Sequence, residues 1–180
     1  TASHVIGYIG RISPGDKRRI EENDQQVDYA GASHIGKIGI ELSYEEQLRG
    51  RAGAEEVEVS AGGRTVRSLS RTPPIAGSNV ILSIDVKLQK LVEEWFGNRR
   101  GALVAIEPST GDVLAFVSKP TFDPNLFVDG IDPQSWQALN EDPDKPLLNR
   151  PLRGTYPPGS TYKPFMALAA LTTGARTPEM

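Results

Sequence analysis

Ser160 and Lys163 stand three residues apart in the run Gly154-Thr155-Tyr156-Pro157-Pro158-Gly159-Ser160-Thr161-Tyr162-Lys163-Pro164-Phe165. A serine hydroxyl is a weak nucleophile until a neighbouring base takes its proton. Positions i and i+3 share a helix face, so a lysine amine placed there can reach the hydroxyl. To act as that base the lysine must be neutral for part of the time. Burial and the positive end of a helix dipole both push a lysine in that direction. The same helix start offers backbone N–H groups to a developing oxyanion. The pair therefore suits acyl transfer.

The neighbours of the pair supply its setting. Pro157 and Pro158 stop any preceding helix, and Gly159 permits a tight backbone approach. Ser160 is a good N-cap type, and Pro164 is tolerated only in a first turn, so the spacing predicts a helix that starts near Ser160. Phe165, Met166, Leu168, Ala169 and Leu171 make that helix apolar nearly all round, as in a central buried helix, and Gly174 is its stop. Ser-x-x-Lys by itself is short enough to arise about once by chance in a chain of this length. The setting gives it weight.

Upstream, residues 3–12 read as a strand interrupted by glycines, and residues 16–31 as a short helix followed by a loop. Ser43-Tyr44-Glu45-Glu46 has the form of a capping box, so a short helix should open there and end at Gly50. Val57 and Val59 alternate with glutamates, and Val66 and Leu69 follow Ala61-Gly62-Gly63, which reads as a hairpin. Thr72-Pro73-Pro74 is a natural boundary. Beyond it, 79–84 reads as a strand. Asp85 should cap a helix running to Phe96, with Leu88, Leu91, Val92, Trp95 and Phe96 on its apolar stripe and Gly97 after it. Residues 102–107 and 112–118 form a second hairpin, apolar at most positions as in a sheet covered on both faces. Residues 119–155 are irregular with one short helix near Ser135–Leu139.

Other candidates are better explained structurally. His4 and His34, the only histidines, have no metal or triad partners nearby in sequence. Asp123, Asp129 and Asp132 do not have the spacing of an EF-hand loop, and turn formation beside Pro124 and Pro133 accounts for two of them. Glu41, Glu45 and Glu46 suit the capping and solvation of a short helix, with a partner-binding role for Glu41 left open. Trp95 is read as core, and Trp136 on the loop could line a groove. The net charge of −3 gives no basic footprint for nucleic acid. The absence of cysteine excludes disulfides and thiolate metal sites within these 180 residues.

Tyr156-Pro157-Pro158-Gly159-Ser160-Thr161-Tyr162-Lys163-Pro164 resembles the active-site motif of the class B penicillin-binding proteins, a superfamily in which Ser-x-x-Lys is a known signature. Other segments resemble the same family in the same order. Gly36-Lys37-Ile38-Gly39-Ile40-Glu41 with Tyr44–Gly50 is similar to its pedestal motif. Ser83–Gln89 is similar to the start of its transpeptidase domain, and Ala105–Ala115 to the first hairpin there. Phe122-Asp123-Pro124-Asn125-Leu126-Phe127-Val128-Asp129-Gly130-Ile131 resembles the elongation-type member of Gram-negative bacteria.

The resemblance implies an α+β fold. A strand-rich pedestal over residues 1–74 would be followed by the N-terminal part of a penicillin-binding/transpeptidase fold over 75–180, an antiparallel sheet flanked by helices. It implies a peptidoglycan D,D-transpeptidase of cell elongation and a β-lactam target, with Ser160 as nucleophile, Lys163 as its base, and no metal or organic cofactor. It implies stem peptides and β-lactams as ligands, and a pedestal that docks a SEDS-family glycosyltransferase and rod-complex scaffold proteins. It also implies a membrane-anchored parent on the periplasmic side of the bacterial inner membrane. The family's Ser-x-Asn and Lys-Thr-Gly or Lys-Ser-Gly motifs are not among the 180 residues. The expectation is therefore an inert part of a longer enzyme, with unpaired sheet edges in 75–180. A serine β-lactamase or β-lactam sensor, and a non-catalytic docking module, are the rival readings.

Overall fold

The computed structural model describes residues 1–177. The chain opens with α1 (Ser3–Ile6), β1 (Tyr8–Arg11), α2 (Pro14–Glu22), β2 (His34–Ile38), α3 (Gly39–Ser43) and α4 (Glu45–Arg49). The strand expected over 3–12 thus begins only at Tyr8, after a helical turn. The two are separated by Gly7 at φ 82°, where a Cβ would fall 1.9 Å from the Ile38 carbonyl oxygen. β1 and β2 pair antiparallel, with Gly10 opposite Ile35 and Arg11 opposite His34.

A capping box does form, but at Ser13, whose hydroxyl accepts the Asp16 N–H while the Asp16 carboxylate accepts the Ser13 N–H. The box expected at Ser43 is absent, because Ser43 is still inside α3 and Tyr44 holds the N-cap position of α4 without a side-chain bond. Glu45 turns instead to the Gly36 N–H at 2.7 Å and to Arg49 at 3.5 Å. The expected stop at Gly50 holds, at φ 74°.

Strands β3 (Ala54–Val59) and β4 (Thr65–Thr72) form the expected hairpin. Every position on both strands is exposed. Pairs across the strands hold it, among them Glu58 with Arg67 at 2.6 Å, and an Arg51–Ile75 bridge closes its base.

Residues 79–84 form no strand. They lie beside the start of β6 (Val113–Lys119) through single bonds, Ser83 Oγ to the Val113 carbonyl and the Asp85 N–H to the Leu114 carbonyl, both 2.9 Å. Asp85 caps α5 (Val86–Phe96) as expected, its carboxylate accepting the N–H groups of Lys87 and Leu88 at 2.8 and 3.1 Å. β5 (Gly101–Ile106) pairs antiparallel with β6.

The face that α5 turns to β6 carries Gln89 and Val92, three residues apart and both buried. Gln89 is fully buried and works as a short strand. Its amide oxygen accepts the Phe116 N–H at 2.8 Å, and its amide nitrogen donates to the Phe116 carbonyl at 3.0 Å and to Glu93 at 2.8 Å. Trp95 lies outside this face and is 67% exposed, which corrects its reading as core. The hairpin is not covered on both faces either, since Val104 and Ile106 of β5 stay exposed.

The segment from 119 to 155 contains a 3-10 turn (Pro124–Phe127), α6 (Pro133–Glu141) and α7 (Arg150–Arg153), where one helix was expected. Asp123 and Asp132 do cap the first two, accepting the N–H groups of Asn125 and Ser135. This segment packs back on the N-terminal elements. The Tyr8 and Phe127 rings stack at 4.4 Å, and His4 meets Phe122 edge-on at 5.0 Å. Asp129 faces Arg11 at 3.3 Å and His34 at 3.4 Å. The fold is α+β, with three small antiparallel sheets among the described residues.

Two tests follow from this packing. Gln89→Leu leaves the Phe116 N–H and C=O unpaired in a buried place, so a loss of about 2–4 kcal/mol is expected in urea unfolding. Trp95→Ala should lose less than about 1 kcal/mol, and equal losses would refute the strand-like role of Gln89. The second concerns Asp16. Burial alone would raise its pKa, but the hydrogen bonds from the Lys37 ammonium and from Ser13 outweigh burial and hold it at about 2 instead of 3.8. The unfolded chain therefore takes up this proton first as pH falls. Stability from Asp16 is present above pH 3.8 and lost as pH falls through about 2. Thermal unfolding across that window should lose this component in Asp16→Asn, and an unchanged pH profile would count against it.

Candidate active site

Ser160 and Lys163 lie where a 3-10 turn (Gly159–Tyr162) runs into α8 (Lys163–Thr172). Pro157 and Pro158 lead into the turn. Gly159 takes φ 55° with open space around it, so its backbone conformation, not crowding, calls for glycine. The Lys163 N–H donates to the Ser160 carbonyl, closing the turn, and Thr161 Oγ1 donates to the Pro158 carbonyl. Ser160 is therefore a member of the 3-10 turn and not an N-cap. The cap position of α8 is Tyr162, without a side-chain bond. Pro164 sits in the first turn of α8, as its missing N–H requires.

The tight turn serves the pair. A 3-10 turn has three residues per turn, so side chains at i and i+3 eclipse each other. Ser160 lies in the turn and Lys163 opens α8, so the two stand at i and i+3 across the junction, about one turn apart. Both are exposed, and neither Ser160 Oγ nor Lys163 Nζ has a hydrogen-bond or ionic partner among the described residues.

The central buried helix expected here is not buried. Phe165 is 66% exposed, Leu168 64%, and Met166 and Leu171 are also open. Apart from its own 3-10 turn, no described element makes a substantial contact with α8. Its composition is that of a core helix, but the layers that would cover it are not among the described residues. Burial as a means of keeping a lysine amine neutral needs such a cover.

The segment before the turn is firmly placed. Arg150 is 6% exposed, its N–H donates to Ser118 Oγ at 3.1 Å, and its guanidinium donates to the carbonyls of Asp144 and Lys145. Ser118 Oγ in turn donates to the Leu148 carbonyl at 2.9 Å. Gly154 lies against this knot, where a Cβ would come within 2.6 Å of the Arg150 carbonyl oxygen. Arg150 was not singled out from the sequence. The available sign was a charged residue set among Leu147, Leu148, Pro151 and Leu152.

The remaining candidates fall into structural places. His4 is buried, and burial lowers its pKa, with Arg150 adding to the effect and the hydrogen bond to the Pro146 carbonyl opposing it. His34 contacts Ser33 and Asp129. No cluster of metal-ligating side chains exists among the described residues. Trp136 is half exposed.

Residues 1–82 match the family model of the penicillin-binding protein dimerisation domain, and residues 101–180 match that of the penicillin-binding protein transpeptidase domain. The chain is 47% identical over 175 residues to the peptidoglycan D,D-transpeptidase MrdA of Escherichia coli strain K12, covering 97% of the chain and 28% of that relative. It is 43% identical over 178 residues to MrdA of Haemophilus influenzae, covering 99% and 27%. The crystal structure of Pseudomonas aeruginosa PBP2 in complex with WCK 5153 superposes with a TM-score of 0.78 at 47% identity, over 98% of this chain and 34% of that one. The complex between PBP2 and MreC from Helicobacter pylori gives 0.83 at 35% identity, over 99% and 32%. The chain therefore spans between a quarter and about a third of the length of these relatives. With both domain models matched in order and this identity along nearly its whole length, the chain belongs to the class B penicillin-binding proteins and within them is similar to PBP2 and MrdA.

Proposed function

We propose that this chain forms the pedestal (1–74) and the first part of the catalytic domain (75–180) of a peptidoglycan D,D-transpeptidase that cross-links stem peptides during cell elongation. The observation that carries this reading is the placement of Ser160 in the 3-10 turn and of Lys163 at the first position of the apolar helix that follows it. The name D,D-transpeptidase borne by relatives at 47% identity supports the reaction.

In this reading Ser160 Oγ attacks the carbonyl of the penultimate D-alanine, and Lys163 in its neutral form takes the hydroxyl proton. The new ester bond forms as the C–N bond to the terminal D-alanine breaks, and the proton passes to the leaving amine. An amine of a neighbouring stem then attacks the ester, forming the cross-link and returning Ser160 to its starting state. A β-lactam acylates the same hydroxyl, because its strained amide resembles the D-Ala-D-Ala bond and the opened product stays tethered. The residues 1–180 alone are inert in this reading, since they lack the Ser-x-Asn and Lys-Thr-Gly type motifs of the family.

The proposed setting is the periplasmic side of the bacterial inner membrane. No helix among the described residues is long and apolar enough to cross a membrane. The solved complex of a Helicobacter pylori PBP2 with MreC supports a rod-complex scaffold protein as a partner, and the surface assigned to it in this reading is the pedestal. A SEDS-family glycosyltransferase is the second proposed partner there, coupling polymerisation to cross-linking.

Intact mass spectrometry of the whole protein with benzylpenicillin tests the chemistry. One adduct on Ser160 is expected, and none in Ser160→Ala. Lys163→Ala should slow acylation about a thousandfold while leaving the fold intact. Unchanged labelling of Ser160→Ala would sink the assignment, and rapid release of hydrolysed penicillin would assign a β-lactamase instead.

A further inference from the structure

A cavity of about 540 Å³ opens between the start of β5 and the segment that leads to Ser160. Arg100, Lys145, Arg150 and Arg153 all line it, with Tyr156 on its wall. Arg150 is nearly fully buried, and bonds to two carbonyls hold its guanidinium in place. Arg100 pairs with Asp144 at 3.3 Å. The Lys145 ammonium and the Arg153 guanidinium have no acidic partner among the described residues. Among the described residues, Asp144 is the one carboxylate that forms an ion pair with any of these four cations, while Glu141 and Asp142 lie just before it in the chain. Such a concentration of like charge in a concave space raises the local potential and favours an anion that enters it. Guanidinium groups match the geometry of phosphate and carboxylate oxygens, and the tyrosine hydroxyl adds a donor. The net charge of −3 argues against a polyanion as large as nucleic acid.

We propose that this cavity is a binding site for an oxyanion group of at least two negative charges, a phosphate or a pair of carboxylates. The residues that make it take no part in acylation, so penicillin labelling can fail and this site stand, or the reverse. Tyr156 lies four residues before Ser160, and an occupant would bear on the loop that carries the nucleophile.

Calorimetric titration of the intact protein with pyrophosphate, and separately with glutarate, tests the site. Saturable one-site binding is expected, weakened by added sodium chloride. Lys145 and Arg153 are exposed, so their substitution leaves the core alone. Lys145 sits at φ 44°, a region asparagine tolerates, which makes Lys145→Asn the suitable variant. Lys145→Asn and Arg153→Gln should each weaken binding about five- to tenfold at an unchanged melting temperature, and Arg153→Glu should abolish it. Tighter binding of pyrophosphate assigns a phosphate-bearing ligand, and tighter binding of glutarate a carboxylate-bearing one. Absence of saturable heat with both probes, or a titration that Arg153→Glu leaves unchanged, overturns the proposal.

Discussion

The second half of the molecule hangs on one buried amide. Gln89 gives the free edge of β6 the donor and acceptor that another strand would have supplied. Without it, the Phe116 backbone would be buried with its hydrogen bonds unmade, and each such group costs on the order of 1–3 kcal/mol. The same pair of bonds fixes α5 against β6 in rotation and in register. From β6 the order passes onward. Ser118 holds Arg150, Arg150 gathers the carbonyls of Asp144 and Lys145, and Gly154 lets the chain pass close to that knot. The turn that carries Ser160 and Lys163 begins only five residues later. The exposed turn that precedes α8 is thus anchored by a polar chain of contacts that starts in the core.

The two halves meet through a different kind of contact. Tyr8 and His4 come from the N-terminal elements, and Phe122 and Phe127 from the loop after β6, and their rings pack by stacking and by edges. Stacked and edge-on aromatic pairs each add about 0.5–1.5 kcal/mol beyond their buried area. Asp129, by contrast, is an exposed partner for Arg11 and His34 and contributes little to stability. Its use is to orient the loop, while the rings hold it.

Much of this was legible in the sequence where a local rule governs. Asp85 and Gly97 bracket α5, the glycine-rich turn joins β3 to β4, and Pro164 marks the first turn of α8, because capping, positive φ and a missing N–H are properties of single residues. Family resemblance carried the rest of the reading, down to the α+β class. What failed needed distant information. The Ser43 box was written correctly in the sequence, yet α3 already held Ser43, and Glu45 had a better donor in Gly36 across the chain. Trp95 fits a helical stripe, but the stripe's direction is set by where Gln89 meets β6. Arg150 and the cationic cavity are assembled by loops, which leave no periodicity to read.

The exposure of α8 bears directly on the chemistry proposed at its head. Four large apolar side chains stand open on a helix whose composition calls for cover, and burying each is worth roughly 1.5–3 kcal/mol. That free energy is available to whatever packs on the helix. A layer laid on α8 would also exclude water from the Ser160–Lys163 turn, and withdrawal of water is one of the two means by which a lysine amine is kept neutral enough to accept a proton. In the proposed function, folding of such a cover and activation of Lys163 as the base are one event. In the proposed reading the chemistry follows the assembly of the domain: the turn gains its activity once the core around its helix is complete.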